Sequence, residues 1–284
     1  MKVTLTFALL CLIWGSTWMG IKIGLTDAPP LSGASVRFAL AVVILLAIVR
    51  YKRYSLPEGF GPKLRLAYPG LYIYSGSYAL IYLAEQYISS ALMAVLFASF
   101  PLFVAFLSIW ILKTERLSLA AWLGLGLGFV GVVVISYNSF QSSQHLFVGT
   151  LLALGGALSA AYGSLLQKKH FSGENVFVAT AIQMTLGLFP LLILSIVFDQ
   201  WSNFAVTAAS IGSIIYLGIF GTVIAFVAYY WLLSHTEVVN VSLIAFITPV
   251  VAILIGILFG ESLAFRAIIG AALILVGVVL VIRK

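Results

Sequence analysis

The sequence predicts an all-α membrane protein with ten transmembrane helices, arranged as two inverted five-helix repeats. The first observation is composition: 63% of the 284 residues are hydrophobic and only 8% are charged, against about 25% charged in soluble domains. The second is that apolar residues form continuous runs instead of alternating with polar ones, which indicates helices and not a β-barrel. The third is an internal repeat.

The repeat is clearest in two apolar stretches, one in the middle of the chain and one near its end. Residues Glu115–Ile135 match Glu261–Val281 at nine of 21 positions, where about two matches are expected by chance in so apolar a composition. Such self-similarity indicates two copies of one unit, at residues 3–137 and 148–282. The offset is 146 in these stretches and 148 for Trp14-Gly15-Ser16 with Tyr162-Gly163-Ser164, Gly70 with Gly218, Tyr82 with Tyr230, and Pro101 with Pro249.

Each copy contains five apolar segments of the length needed to cross about 30 Å of hydrocarbon, which is about 20 helical residues. The connections between the segments are short, so no extramembrane domain is expected. The longest gap, from Arg50 to Leu64, combines basic residues with Gly and Pro and indicates a polar turn region. The predicted spans are residues 3–23, 31–49, 64–84, 89–111, 118–136, 148–167, 175–197, 209–233, 239–259 and 263–282.

The basic residues predict the orientation. With a cytoplasmic N-terminus, twelve of the 15 Lys and Arg residues flank the segments on the cytoplasmic side, as the positive-inside rule requires. The first segment lacks a small-residue cleavage site and ends in Lys22, so we expect it to be a span and not a cleaved signal peptide. We therefore expect both termini in the cytoplasm and the loop from Gln141 to Leu146 outside. Because five is odd, the second copy enters the membrane from the opposite face.

Together these features resemble the EamA family of the drug/metabolite transporter superfamily. The resemblance rests on the Trp-Gly-Ser motif at residues 14–16, on the Glu-x-Leu and glycine pattern that closes each half, and on the topology. It implies a carrier of the inner (plasma) membrane that exports small metabolites, often amino acids or related solutes, by alternating access. The expected partners are a small solute and membrane lipid, with no cofactor.

Aromatic and basic side chains inside the segments are the candidate substrate-binding residues. Three tyrosines of the third helix follow one another at four-residue spacing, which predicts one stripe that lines a cavity or packs against a neighbouring helix. Two tryptophans and a lysine share a face of the first helix in the same way. The full set is Trp14, Trp18, Lys22, Arg37, Tyr74, Tyr78, Tyr82, Tyr162, Phe226 and Tyr230.

Arg37 lies six residues into the second helix, about 9 Å below its outer end at 1.5 Å per residue. An arginine that faces lipid at this depth is costly, so it should face the protein interior or extend outward to the interface. Two interpretations remain open. Either Arg37 and Lys22 attract an anionic group of the solute, or Arg37 caps helix carbonyls or pairs with Glu85 and so holds helices together.

Proline and glycine mark further positions in the helices. Pro101 and Pro249 occupy equivalent places in the fourth and ninth helices, where proline removes a hydrogen bond and produces a kink. Each kink is either static or a hinge that closes the cavity. The G-x-x-x-G motif at Gly124 and Gly128 predicts close helix packing, either within the chain or with a second subunit in a homodimer.

Nothing in the sequence predicts an enzyme. There is no H-E-x-x-H, G-x-S-x-G or phosphate-binding loop, and the three histidines are far apart in the sequence. Cys11 is the only cysteine, so a cysteine-based metal site is excluded. The basic residues lie in short gaps and form no patch for nucleic acid. The alternatives are an exporter of amphipathic cations, although the first helix and its copy contain no carboxylate, and a non-transport membrane enzyme or scaffold.

Overall fold

A computed structural model describes residues 2–88, 90–113, 117–136, 146–171, 173–258 and 265–282. Helices make up most of these residues and no strand occurs among them, so the predicted all-α fold is confirmed. The repeat residues Glu115 and Glu261, and residues 141–145 of the predicted external loop, lie outside the described ranges.

The helices follow the predicted segments, several of which are divided. Two π-helical segments, Leu71–Ser77 and Ile219–Ile224, and a short 3-10 turn, Trp201–Asn203, separate or join the α-helices. The α-helices are α1 (Lys2–Leu25), α2 (Pro30–Tyr51), α3 (Phe60–Ala67), α4 (Tyr78–Ala84), α5 (Ser90–Phe97), α6 (Phe100–Ile111), α7 (Leu119–Ser136), α8 (Leu146–His170), α9 (Val176–Phe198), α10 (Ala208–Gly218), α11 (Ala225–His235), α12 (Val238–Ser242), α13 (Ile244–Leu258) and α14 (Phe265–Ile282).

Within the described ranges, five helices are long and apolar enough to cross a membrane. Shorter apolar helical stretches lie where the third, fourth, fifth, ninth and tenth spans are predicted. Large apolar side chains cover the outside of the molecule; Trp110 is 72% and Ile193 61% exposed. Because soluble proteins rarely expose apolar surface this extensively, the chain is a multi-pass membrane protein. The long spans are Lys2–Leu25, Pro30–Tyr51, Phe147–His170, Val176–Phe198 and Ala208–His235.

The two π-helical segments interrupt the third and eighth spans at equivalent places. They begin 148 residues apart, at Leu71 and Ile219, which is the offset of the sequence repeat. A π-helix adds a residue to each turn and disturbs the backbone hydrogen-bond ladder, and such segments are frequent at functional sites. Both segments lie beside the cavity described below.

Glycines bring α7 and α14 into close contact. A Cβ atom on Gly124 would lie 2.6 Å from the Gly277 carbonyl oxygen, and one on Gly131 would lie 2.6 Å from that of Gly270. The two helices therefore run antiparallel, because the earlier glycine of α7 meets the later glycine of α14. A Cβ on Gly128 would meet the Phe246 ring at 2.7 Å. These contacts support the intrachain interpretation of the G-x-x-x-G motif.

Polar contacts join the connections at one end of the molecule. The Ser32 backbone N–H donates to Asp199 Oδ2 at 2.6 Å, and the Ala205 N–H donates to the Asp27 carbonyl at 2.8 Å. Thr207 also donates to the Asp27 carboxylate at 2.5 Å. The α1–α2 and α9–α10 connections, both predicted to be external, therefore lie together.

The two prolines follow helix interruptions and do not have identical surroundings. Pro101 lies in the first turn of α6, after the break between α5 and α6, where a missing N–H leaves no intrahelical partner unpaired. Pro249 lies inside α13, five residues after its start. There the Thr248 hydroxyl donates to the Ala245 carbonyl at 3.2 Å, which compensates for the hydrogen bond that proline removes.

Candidate functional site

A cavity of about 80 Å³ lies between the helices. Its lining comes from the first π-helical segment and from α1, α2, α4, α5, α6, α8, α11, α12 and α13. Most of its lining is aromatic or aliphatic. Five predicted site residues line it: Trp14, Trp18, Arg37, Tyr78 and Phe226.

Aromatic rings from several helices form the wall of the cavity. The Trp14 ring centroid lies 5.6 Å from that of Phe226 and 5.3 Å from that of Tyr229. Trp18 packs edge-on against Phe97, with 5.7 Å between the ring centroids. Edge-to-face and tilted pairs at these separations are favourable. The arrangement brings α1 of the first copy against α11 of the second.

The two cavity tryptophans differ in their hydrogen bonding. Trp14 Nε1 donates to the Gly221 carbonyl at 3.4 Å. Trp18 is only 9% exposed, and its Nε1 atom is buried without an acceptor among the described residues. A buried donor without an acceptor costs about 1–3 kcal/mol. Trp18 therefore lines the cavity and carries an indole N–H group without an acceptor among the described residues.

Arg37 holds three helices together beside the cavity, and we call its group the arginine cluster: Arg37, Tyr82, Gly221 and Thr222. Its Nε donates to Thr222 Oγ1 at 2.8 Å, one terminal nitrogen donates to Tyr82 at 3.3 Å and the other to the Gly221 carbonyl at 3.2 Å. The guanidinium also lies 5.0 Å from the Tyr78 ring centroid, a favourable cation–π distance. At 1% exposure, Arg37 caps a carbonyl of the π-helical segment.

A second hydrogen-bonded group lies at the equivalent place in the other half, and we call it the glutamine cluster: Gln167, Gln183, Tyr74 and Tyr230. Tyr230 donates to Gln183 Oε1 at 2.6 Å, so it accepts from the Tyr74 hydroxyl at 2.9 Å, because a tyrosine has a single hydroxyl proton. The amide of Gln183 donates to Gln167. The bond between Tyr74 and Tyr230 joins α11 to the first π-helical segment.

The structure divides the predicted tyrosine stripe. Tyr78 lines the cavity, whereas Tyr74 and Tyr82 belong to the glutamine and arginine clusters. Tyr74 and Tyr78 nevertheless both contact the Phe226 ring, and Tyr78 and Tyr82 both contact Arg37. The three side chains therefore lie along one side of the third span and differ in their position along its axis.

Other predicted residues lie outside the cavity lining. Tyr162 packs edge-on against Tyr72, with 4.8 Å between the ring centroids, and Tyr230 belongs to the glutamine cluster. Lys22 is exposed in the last turn of α1. Arg37 forms the carbonyl cap of the structural interpretation, and no hydrogen bond to Glu85 occurs among the described residues.

Sequence reasoning missed three site residues for which a signal existed. Gln183 lies 146 residues after Arg37, the offset of the closing stretches, and it contacts Tyr230 as Arg37 contacts the equivalent Tyr82. Tyr229 lies three residues after Phe226 on the same helix face, and it donates to Ser164 at 2.9 Å. That serine is the third residue of the repeated Tyr-Gly-Ser motif.

Comparisons with known proteins agree with this architecture. The model of the EamA-like transporter family matches residues 1–137 and 147–283. The chain is 31% identical over 289 residues to an uncharacterized transporter of Archaeoglobus fulgidus, covering 100% of both chains. It is 31% identical over 275 residues to the uncharacterized inner membrane transporter YedA of Escherichia coli K12, covering 96% of this chain and 88% of that protein. A crystal structure with 19% sequence identity has a TM-score of 0.81 and covers 98% of this chain and 95% of that chain, which shows a shared fold.

Proposed function

The chain belongs to the EamA-like transporter family, and from this premise we propose that it exports amino acids or related small metabolites by alternating access. The observation that carries the proposal is the cavity, whose wall combines aromatic rings with Arg37 and hydroxyl-bearing side chains. Such a site suits a solute with an apolar body and a hydrogen-bond acceptor, for example a carboxylate oxygen.

The charge of the wall argues against the cation alternative. Arg37 lines the cavity, and no carboxylate occurs among its described lining residues. A cationic solute would be repelled by the guanidinium without a compensating negative charge. Nothing in the wall favours the enzyme alternative, because its polar groups are hydroxyls, two indoles and a guanidinium.

We further propose that the chain forms ten spans in two inverted repeats, with both termini cytoplasmic in the inner (plasma) membrane. The offset of the π-helical segments, the antiparallel glycine contacts of α7 with α14, and the two stretches matched by the family model support this arrangement. An inner membrane relative supports the location. A reporter fused after Ser143 should be external and one fused after Lys284 cytoplasmic. Equal exposure of the two reporters would exclude inversion.

Alternating access requires that the cavity close towards each side in turn. The arginine cluster closes it towards the end that contains Asp27 and Asp199, and the glutamine cluster closes it towards the other end. Each cluster contains a hydrogen bond between the two halves, from Arg37 to Thr222 and from Tyr74 to Tyr230. We propose that these two bonds break alternately during the cycle.

Transport by purified protein in proteoliposomes tests the function. We expect efflux of neutral amino acids with apolar side chains and no efflux of amphipathic cations. We propose that the Trp18 N–H turns to a solute carboxylate, so Trp18→Phe removes one hydrogen bond to a charged group, worth about 1.5–3 kcal/mol, and efflux should fall about tenfold or more. Trp110→Phe, on the exposed surface, is the matched control and should keep the parent rate. Efflux of cations alone would refute the proposal.

A further inference from the structure

Glu85 is a buried carboxyl group that belongs to neither the cavity lining nor the two clusters described above. It directly follows α4, and both of its carboxylate oxygens are buried without a hydrogen-bond partner among the described residues. Burial of an ionised carboxylate without partners is far more costly than burial of the neutral acid. In the closed arrangement of the structure, the environment of Glu85 therefore favours the protonated form.

Among the residues that the structure describes, two positive charges act on Glu85, those of Lys22 from α1 and Arg37 from α2. Arg37 is already bonded within the arginine cluster. The π-helical segment before α4 contributes only tyrosines, at Tyr72 and Tyr74, and α4 itself adds Tyr78 and Tyr82. The parts of α5 and α8 that face this end of α4, Ser90–Phe97 and residues 146–156, contain no titratable side chain.

Glu85 lies just beyond the apolar helical stretch Leu71–Ala84. Burial raises the pKa of its carboxyl to about 8, against the lowering effects of Lys22 and Arg37. At neutral pH the carboxyl is thus mostly protonated, and contact with water would allow the proton to leave.

We propose that Glu85 is a proton-binding site at the outer end of the transport path, occupied when this end is closed and vacated when it opens. The proposal rests on the proposed alternating access. Glu85 lies one helical turn beyond Ile81, which lines the cavity. Separation of the helices at this end exposes the carboxyl to water, and the proton passes to the external solution, leaving a carboxylate beside Lys22. Acid outside therefore favours the closed end.

Infrared titration of the purified protein tests proton binding without requiring transport. The absorption of the protonated carboxyl should disappear with a midpoint near pH 8. Glu85→Gln should abolish this transition, and Glu58→Gln, in the exposed α2–α3 connection, should leave it unchanged. Lys22→Met should raise the midpoint, because it removes a positive charge that lowers the pKa. A transition that persists in Glu85→Gln, or no transition in the parent protein, overturns the proposal.

Transport at varied external pH tests the link to opening. Efflux by the parent protein should change with external pH about the infrared midpoint, and efflux by Glu85→Gln should lose this dependence. An unchanged pH profile in Glu85→Gln overturns the link. If no solute is transported at all, the proposed function fails, whereas the infrared transition still decides whether Glu85 binds a proton in this range.

Discussion

The arginine and glutamine clusters occupy equivalent places in the two proposed repeats but differ in chemistry. Arg37 and Gln183 are 146 residues apart, and each is hydrogen-bonded to a tyrosine at an equivalent position, Tyr82 or Tyr230. The arginine is charged and donates to three acceptors, whereas the glutamine is one member of a chain of neutral donors. Hydrogen bonds to charged groups are about twice as strong as neutral ones. We therefore expect the end closed by the arginine cluster to be held more firmly.

Arg37→Gln gives the arginine cluster the neutral amide of its counterpart and should have the largest effect. It removes two or more hydrogen bonds to a charged group, each worth about 1.5–3 kcal/mol, so the unfolding temperature in detergent should fall markedly and efflux at least about tenfold. Arg50→Gln, exposed in the last turn of the same helix, is the matched control. Parent-like stability and efflux in Arg37→Gln would contradict both a structural and an anion-binding role.

Arg37→Lys distinguishes the structural role of Arg37 from an anion-binding role. Lysine keeps the charge but cannot reproduce the planar fork that reaches three acceptors. If the role is structural, as the contacts indicate, the unfolding temperature falls in Arg37→Lys almost as far as in Arg37→Gln. If the charge serves the solute, efflux of carboxylate-bearing solutes survives in Arg37→Lys and not in Arg37→Gln.

Removal of the Tyr230 hydroxyl should cost more stability than removal of the Tyr82 hydroxyl. This order is the reverse of that expected for Arg37 and Gln183, the polar side chains that the two tyrosines contact. Tyr230→Phe leaves Gln183 Oε1 without its donor and the Tyr74 hydroxyl without its acceptor, so it should cost about 1–3 kcal/mol. Tyr82→Phe removes one 3.3 Å bond of a guanidinium that retains two others, and it should cost less than about 1 kcal/mol. Unfolding in detergent measures both, with the exposed Tyr51→Phe as control. Equal losses would mean that the clusters are not organised as described.

A substitution at the contact between the last helices of the two copies, α7 and α14, should change stability less. Gly124→Ala forces a methyl group to within 2.6 Å of the Gly277 carbonyl, and overpacking costs about 1–3 kcal/mol, from which up to about 1 kcal/mol of helix propensity is regained. Gly126→Ala meets no atom within 4 Å and should be neutral or stabilising. A change of oligomer size in Gly124→Ala, without loss of stability, would instead favour the homodimer interpretation.

The prolines should give the smallest effects, and these should differ between the halves. Pro249→Ala restores an N–H that competes with Thr248 for the Ala245 carbonyl, so efflux should slow a few-fold while insertion is kept. Pro101→Ala changes a first-turn position that needs no N–H, and it should slow efflux less. Efflux assays with equal amounts of inserted protein measure the rate of each variant relative to the parent protein. Parent-like rates in both single variants and in the double variant would mean that the prolines are static features.

The fold class, the membrane location and the family follow from the sequence alone. A membrane span is visible in the local sequence, because a run of about 20 hydrophobic residues matches the thickness of the bilayer. A repeat is also detected without tertiary information. The same patterns identified Trp14, Trp18 and Phe226 as candidate site residues, and all three line the cavity.

Only the tertiary structure decided how the polar residues are distributed. The spacing of Tyr74, Tyr78 and Tyr82 predicts a shared stripe but does not indicate which of them lines the cavity, because that depends on the partners each meets along the helix axis. The partners of Arg37 and Gln183 lie up to 185 residues away in the chain, and no local pattern encodes such pairs. Whether a carboxyl such as Glu85 is buried without a partner depends on helices that are distant in sequence, because desolvation is a property of the packed assembly.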